Sequence, residues 1–206
     1  MMRTIAAPGR PIGSRADEFF GPFLGAHNLN LGSARKILPG FVNLDLSPNV
    51  GADVVHDLEV LPLPFGPASF DAVFGSHVFE HIRRERFIPL VGDLVRILKP
   101  GGFLIITTGN KFVIDRLGDV GWHVYPSEHI EHELSRGQLR KLLTPHFDVL
   151  GDFTIIPHGT RGILRLVNSY RLNAIVGKLI SREKLDALKE KAGFGWQMVF
   201  LGRKRV

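Results

Sequence analysis

The chain has 206 residues, 44% of them hydrophobic and 22% charged, with no cysteine and a formal charge of +6. That length suits one domain with a substantial core, and the composition is that of an ordinary soluble globular protein. The lack of cysteine excludes disulfides and thiolate metal sites, and no apolar run is long enough to span a bilayer.

The first ten residues lack the apolar segment of a secretory signal, so a cytoplasmic setting is expected. The positive charge is uneven. Residues 160–206 hold eleven Lys/Arg and three Asp/Glu, a net of +8, which leaves about −2 for the rest. A basic C-terminal quarter suits an anionic substrate, nucleic acid or a membrane surface, or else a solvated helical face.

Residues 1–15, rich in Pro, Gly and Arg, read as a mobile N-terminal segment, and 16–206 as a single domain. Residues 17–24, with Phe19, Phe20 and Phe23, predict a short helix on a sheet edge. The stretch 28–45 organises the rest of the chain. Leu29 and Leu31 alternate into Gly32, and a second apolar run, 41–46, carries Asp45 near its end. Strand, glycine turn, strand and terminal acid form a nucleoside half-site: glycine lets backbone approach a ligand, and the acid can accept two bonds from a ribose diol.

A dinucleotide fingerprint has three glycines and an acid about 20 residues on. Here Asp45 follows Gly32 by thirteen positions, with Pro39 and Gly40 between, so a full first crossover helix barely fits. A pyrophosphate needs the amides of that helix, and a phosphate-free ligand does not. The spacing argues against NAD and for a nucleoside such as S-adenosylmethionine (SAM).

Residues 52–56 predict a third strand ending in Asp57 and Leu58. Alternate prolines at 62 and 64 make 61–65 an apolar loop that could wall an adenine pocket. A fourth strand at 70–75 delivers Ser76, His77, Glu80 and His81 to the carboxyl edge, where open α/β sheets bind ligands.

A helix over 78–98 is expected from its apolar spacing, broken or kinked at Pro89. Lys99-Pro100-Gly101-Gly102 reads as a stop before a fifth strand at 103–108. In the irregular segment beyond Gly109, His129 and His132 could bind metal with Glu128 or Glu133, but no third fixed ligand is evident, and the expectation is no metal. A helix at 135–143, a sixth strand at 147–156 and an antiparallel last strand at 196–201 complete the sheet. Between these strands, the apolar stripe of 159–193 switches sides near residues 171–173. Two short helices, or one helix buried on both sides, explain the switch, and a substrate lid is the preferred reading.

The motifs Leu29-Asn30-Leu31-Gly32 and Leu38-Pro39-Gly40-Phe41-Val42-Asn43-Leu44-Asp45 resemble the first motifs of class I SAM-dependent methyltransferases. They are closest to a subgroup with a shortened first helix. Residues 70–81 and 98–106 resemble that family's fourth strand with its following helix, and its turn into strand five. The resemblance covers roughly residues 27–110.

It implies a Rossmann-like, doubly wound, mostly parallel seven-stranded sheet, with an antiparallel last strand and a helical insert before it. It implies SAM as cofactor, with contacts at Asn30, Gly32, Ser33, Asp45, Leu46, Asp57, Leu58 and Ser76. Two departures stand out: Ala34 occupies the place of a second glycine, and Asn30 that of a frequent acid.

The expected activity is methyl transfer to a small-molecule, sugar (glycan) or lipid-linked acceptor at oxygen. His77 is the first candidate base, followed by Glu80 and His81. Arg161, Arg165 and Arg171 could meet an anionic acceptor. The rival readings are a non-catalytic relative that binds SAM or a partner, and an RNA methyltransferase using the basic quarter. Few tryptophans and tyrosines are present for stacking, so nucleic acid is disfavoured, while peripheral membrane contact stays open. Oligomeric state and acceptor identity have no signature in the sequence.

Overall fold

A computed structural model describes residues 20–114, 134–157, 165–166, 169–176 and 179–206. Seven strands form one sheet: β1 (Asn28–Leu31), β2 (Phe41–Asp45), β3 (Val54–Val55), β4 (Phe70–Ser76), β5 (Leu98–Gly109), β6 (Phe147–Pro157) and β7 (Gly195–Lys204), in the order β3-β2-β1-β4-β5-β7-β6. β1 to β5 pair in parallel, and β7 runs antiparallel to both β5 and β6. This is the Rossmann-like sheet expected, antiparallel last strand included.

Alternation along the strands splits the core between the two faces. Leu29, Leu31, Leu44, Val73, Leu104 and Ile106 pack on one side, against α1 (Phe87–Ile97) and α3 (Arg136–Leu143). Phe74, Ile105, Val199 and Leu201 face the other way, covered by Phe20 and Leu38. A capping box starts α3: Ser135 Oγ accepts from the Gln138 N–H, while Gln138 Oε1 accepts from the Ser135 N–H. The short α2 (Lys111–Ile114) follows β5.

Several boundaries differ from expectation. Between β1 and β2 the crossover helix is not merely shortened. Residues 32–40 form turns alone. Asn43, buried in β2, does part of a helix's work there. Its Oδ1 accepts from Leu38 N and from Asn30 Nδ2, and its Nδ2 donates to Leu38 O and Asp53 Oδ2.

The helix expected over 78–98 begins only at Phe87. Before it lie two 3-10 turns, Phe79–His81 and Arg84–Arg86, separated by extended backbone at Ile82 and Arg83. Glu59 holds that break by accepting from both the backbone N–H and the Nε of Arg83. Pro89 neither breaks nor kinks α1, because it sits in the first turn, where its missing N–H has no helical partner to lose.

Lys99 to Gly102 belong to β5 instead of stopping the chain before it. A register shift opposite Phe70 and Ala72 absorbs the turn-like residues. β3 is two residues long. Of the helix expected at 17–24, residues 17–19 lie outside the described residues, Phe20 is helical, and Gly21–Phe23 form a 3-10 turn.

Between β6 and β7 lie α4 (Tyr170–Val176) and α5 (Arg182–Lys191). α5 rests against β6. The end of α5 is tied to the sheet by Asn110 Nδ2, which donates to Gly193 O and Gly195 O. The N-terminal segment 1–15 and the His129/His132 pair lie outside the described residues.

Candidate functional site

The strand order reverses direction between β1 and β4, and the loops leaving those two strands meet at the carboxyl edge of the sheet. After β1 the chain turns through Gly32 (φ 56) and Ala34 (φ 44), both left-handed. A Cβ on Gly32 would come within 2.7 Å of Val78 Cγ2, in the loop after β4. The glycine is thus required by its φ and by a neighbouring loop, before any ligand is considered.

Between these two residues, Ser33 is buried, and its Oγ has no hydrogen-bond partner among the described residues. Its N–H donates to Leu44 O, which binds the turn to β2.

Asp45 closes the turn from the end of β2. Its Oδ2 accepts from the Ala34 N–H at 2.7 Å, and its Oδ1 from the Ser47 N–H at 2.8 Å. Each oxygen keeps a second lone pair, so the carboxylate is oriented without being used up. Beside it, Leu46 is 66% exposed, unusual for leucine.

The end of β3 joins the same edge, with His56 N donating to Asp45 O. Asp57 follows, its Oδ1 capping a turn at Glu59 N. Leu58 and Leu63 are buried in the core rather than offered to a ligand. The loop carrying Leu63 is clamped to α1: Asp93 accepts from Leu63 N, and Arg96 donates to Phe65 O.

The opposite side of the edge carries a polar chain. His77 follows β4 in a left-handed conformation (φ 56), a strained state for a non-glycine residue. Its N–H donates to Thr107 O. His77 Nδ1 lies 2.6 Å from Glu80 Oε1, and Nε2 lies 2.7 Å from Gln197 Nε2 on β7. With the Gln197 amide donating to Nε2, Nδ1 keeps the hydrogen that it gives to Glu80.

Glu80 is buried, and its Oε2 accepts from Thr108 Oγ1. Burial alone would raise its carboxyl pKa, but the hydrogen bond from His77, with that from Thr108, holds it below the usual carboxylate range. Ser76 Oγ accepts from Thr107 Oγ1.

The edge therefore brings together Gly32, Ser33, Asp45, Leu46, Asp57, Ser76, His77 and Glu80. It does not bring in Asn30, whose Nδ2 is committed to Lys36 O and Asn43 Oδ1, nor the core residue Leu58. His81 ends the 3-10 turn on its exposed side. Asn43 and Gln197 escape a reading of the sequence. A lone polar residue inside a strand gives no local signal of what it will meet across a sheet. Among the described residues no cluster could hold a metal ion. A separate pocket of about 250 Å³, lined by Phe23, Asp71, Lys99 and Phe103 among others, lies at the amino end of β4, away from this edge.

Residues 35–106 match a family model described as a methyltransferase domain. Among solved structures, the chain is similar to a SAM-dependent methyltransferase from Archaeoglobus fulgidus (TM-score 0.61, 15% identity, 93% of this chain and 92% of that one). It is also similar to the geranyl diphosphate C-methyltransferase of Streptomyces coelicolor A3(2), solved with Mg2+, geranyl diphosphate and S-adenosyl-L-homocysteine (0.55, 16%, 94% and 77%). A third is the complex between the Haloferax volcanii Trm112 methyltransferase activator and a methyltransferase (0.53, 17%, 89% and 84%). At these identities the likeness is one of fold. No curated protein matches the chain in sequence.

Proposed function

We propose that the chain is a class I SAM-dependent methyltransferase that binds SAM and methylates a small-molecule, sugar or lipid-linked acceptor at oxygen, a reading supported by the family match over residues 35–106 and by the likeness of fold. What supports the cofactor is the turn from Gly32 to Ala34 set against Asp45. A buried hydroxyl without a partner among the described residues, Ser33 Oγ, stands in that turn, and an oriented carboxylate with spare lone pairs stands opposite.

These residues fit a nucleoside. Asp45 would accept from the ribose hydroxyls, Leu46 would cover one face of the base, and the turn's backbone would lie along the ligand. SAM supplies a methyl group already activated on sulfonium, so the protein's main task is to hold the acceptor in line.

For an oxygen acceptor, His77 would take the hydroxyl proton at Nε2, since Nδ1 is committed to Glu80. The acceptor hydroxyl must then displace the Gln197 amide from Nε2. Glu80 would stabilise the imidazolium that forms. A second reading, a relative that binds SAM without transferring methyl groups, draws on that same amide capping Nε2. The lack of cysteine supports a cytoplasmic setting as part of the proposal.

Calorimetric titration tests the cofactor: SAM should bind and NAD should not. No heat with SAM would overturn the reading. His77→Ala should keep SAM affinity and lose turnover on an oxygen acceptor, whereas unchanged turnover would remove His77 from the chemistry.

A further inference from the structure

The segment between β6 and α5 turns large apolar side chains to water. Leu166 is 65% exposed, Leu172 44%, Ile175 62% and Leu179 82%. Leu172 and Ile175 lie three residues apart and share a face of α4. Leu179 follows in the next turn, its N–H bonded to Val176 O. Single exposed leucines are ordinary, but Leu172 and Ile175 side by side on α4, with Leu166 and Leu179 exposed on the flanking chain, offer apolar surface for a contact.

The charge around these side chains has one sign. Residues 165–182 contain four Lys/Arg and no Asp/Glu, and Arg165 and Arg171 are exposed. A second copy of the chain would set this positive face against itself, which like charges oppose. Single-stranded nucleic acid would use the cations but stacks on aromatic rings, not on leucines. An anionic bilayer uses both features. Aliphatic side chains enter the boundary between headgroups and acyl chains, while arginines stay at the level of the phosphates.

We propose that α4, with the exposed Leu166, Leu172, Ile175 and Leu179 and the exposed Arg165 and Arg171, docks the protein on an anionic lipid surface. α4 lies in the plane of the interface instead of crossing it, since seven residues reach only about 10 Å. Among the described residues, no helix is long and apolar enough to cross a membrane. The test reads lipid binding alone and does not depend on what the protein methylates.

The test is cosedimentation with phosphatidylcholine vesicles prepared with and without phosphatidylglycerol. The protein should partition onto the anionic vesicles and stay in solution with phosphatidylcholine alone, and added salt should release it. Leu172→Glu with Ile175→Glu should abolish partitioning with an unchanged circular dichroism spectrum. Arg165→Gln and Arg171→Gln should each weaken it roughly fivefold. The proposal is overturned by a failure to bind anionic vesicles, or by equal binding of the double glutamate variant. A dimer in ultracentrifugation that the same double variant dissolves also overturns it, in favour of a second copy on this face.

Discussion

Two residues that are not glycine hold left-handed backbone on either side of the site, Ala34 in the turn after β1 and His77 after β4. Such conformations cost roughly 1–3 kcal/mol each and persist where the surroundings enforce them. For Ala34 the enforcement is visible, because its N–H must point at Asp45. Ala34→Gly should therefore raise stability by about 1 kcal/mol, read as a higher Tm, with the Asp45 contact intact.

Asp45 holds the turn and, in the proposed reading, would also hold the ribose. Asp45→Ala should weaken SAM binding by roughly 2–3 kcal/mol, since a charge-assisted pair to the ribose is lost. It should also lower Tm, because the N–H groups of Ala34 and Ser47 lose their acceptor. Calorimetry and thermal melting separate the two effects, and an unchanged Kd would place the ribose elsewhere. The sequence points to Asp45 through its spacing from Gly32. It cannot reveal that the acid also holds the loop, because that depends on which N–H the turn presents.

Among the elements, those governed by local pattern are legible in the sequence and those governed by distant contacts are not. β1, β2 and β4 announce themselves as short apolar runs bounded by turn residues. The helix after β4 is expected too long because the periodic residues from Phe87 onward invite extension backward. What ends it is Glu59, far away in sequence, gripping Arg83.

The segment between β6 and β7 divides at a similar boundary. α5 packs on β6 and is anchored through Asn110, whereas α4 is largely exposed. Replacing residues 160–180 by a Gly-Ser linker should leave the circular dichroism spectrum and SAM affinity nearly unchanged while removing methyl transfer. Extending the replacement to 193 should lower Tm sharply, because it strips α5 from β6. Full turnover in the shorter variant would exclude this segment from acceptor binding.

Over the whole molecule, several carboxylates are held below their ordinary pKa range by partners that folding supplies. Burial acts against Glu80, but His77 and Thr108 more than offset it. Desolvation likewise opposes Glu59 and Asp71, yet Arg83 lowers the first and Lys99 the second, while Asp53 is lowered by the Asn43 N–H. A depressed folded pKa gives stability that is fully present above the unfolded value and is lost as pH falls through the folded one. Tm should therefore drop as the pH goes below about 4.3. Glu80→Gln should lower Tm at neutral pH and make the acid limb shallower. An acid limb unchanged in that variant would show that the pair with His77 carries no such linkage. This global behaviour is invisible in the sequence, where most of these acids stand far from their partners.

The crossover between β1 and β2 has a kinetic consequence. A helix opens cooperatively, because its amides are chained one to the next. Residues 33–40 have no such chain. They hang from separate posts, chiefly the Asn43 side chain and the Asp45 carboxylate. Amide hydrogens in this stretch should exchange with deuterium through local opening, orders of magnitude faster than those of β1 and β4, which exchange only through larger unfolding. A ligand bridging Ser33 and Asp45 would couple the posts to one another. The protection it brings would then be concentrated in these few amides, while the central strands hardly change.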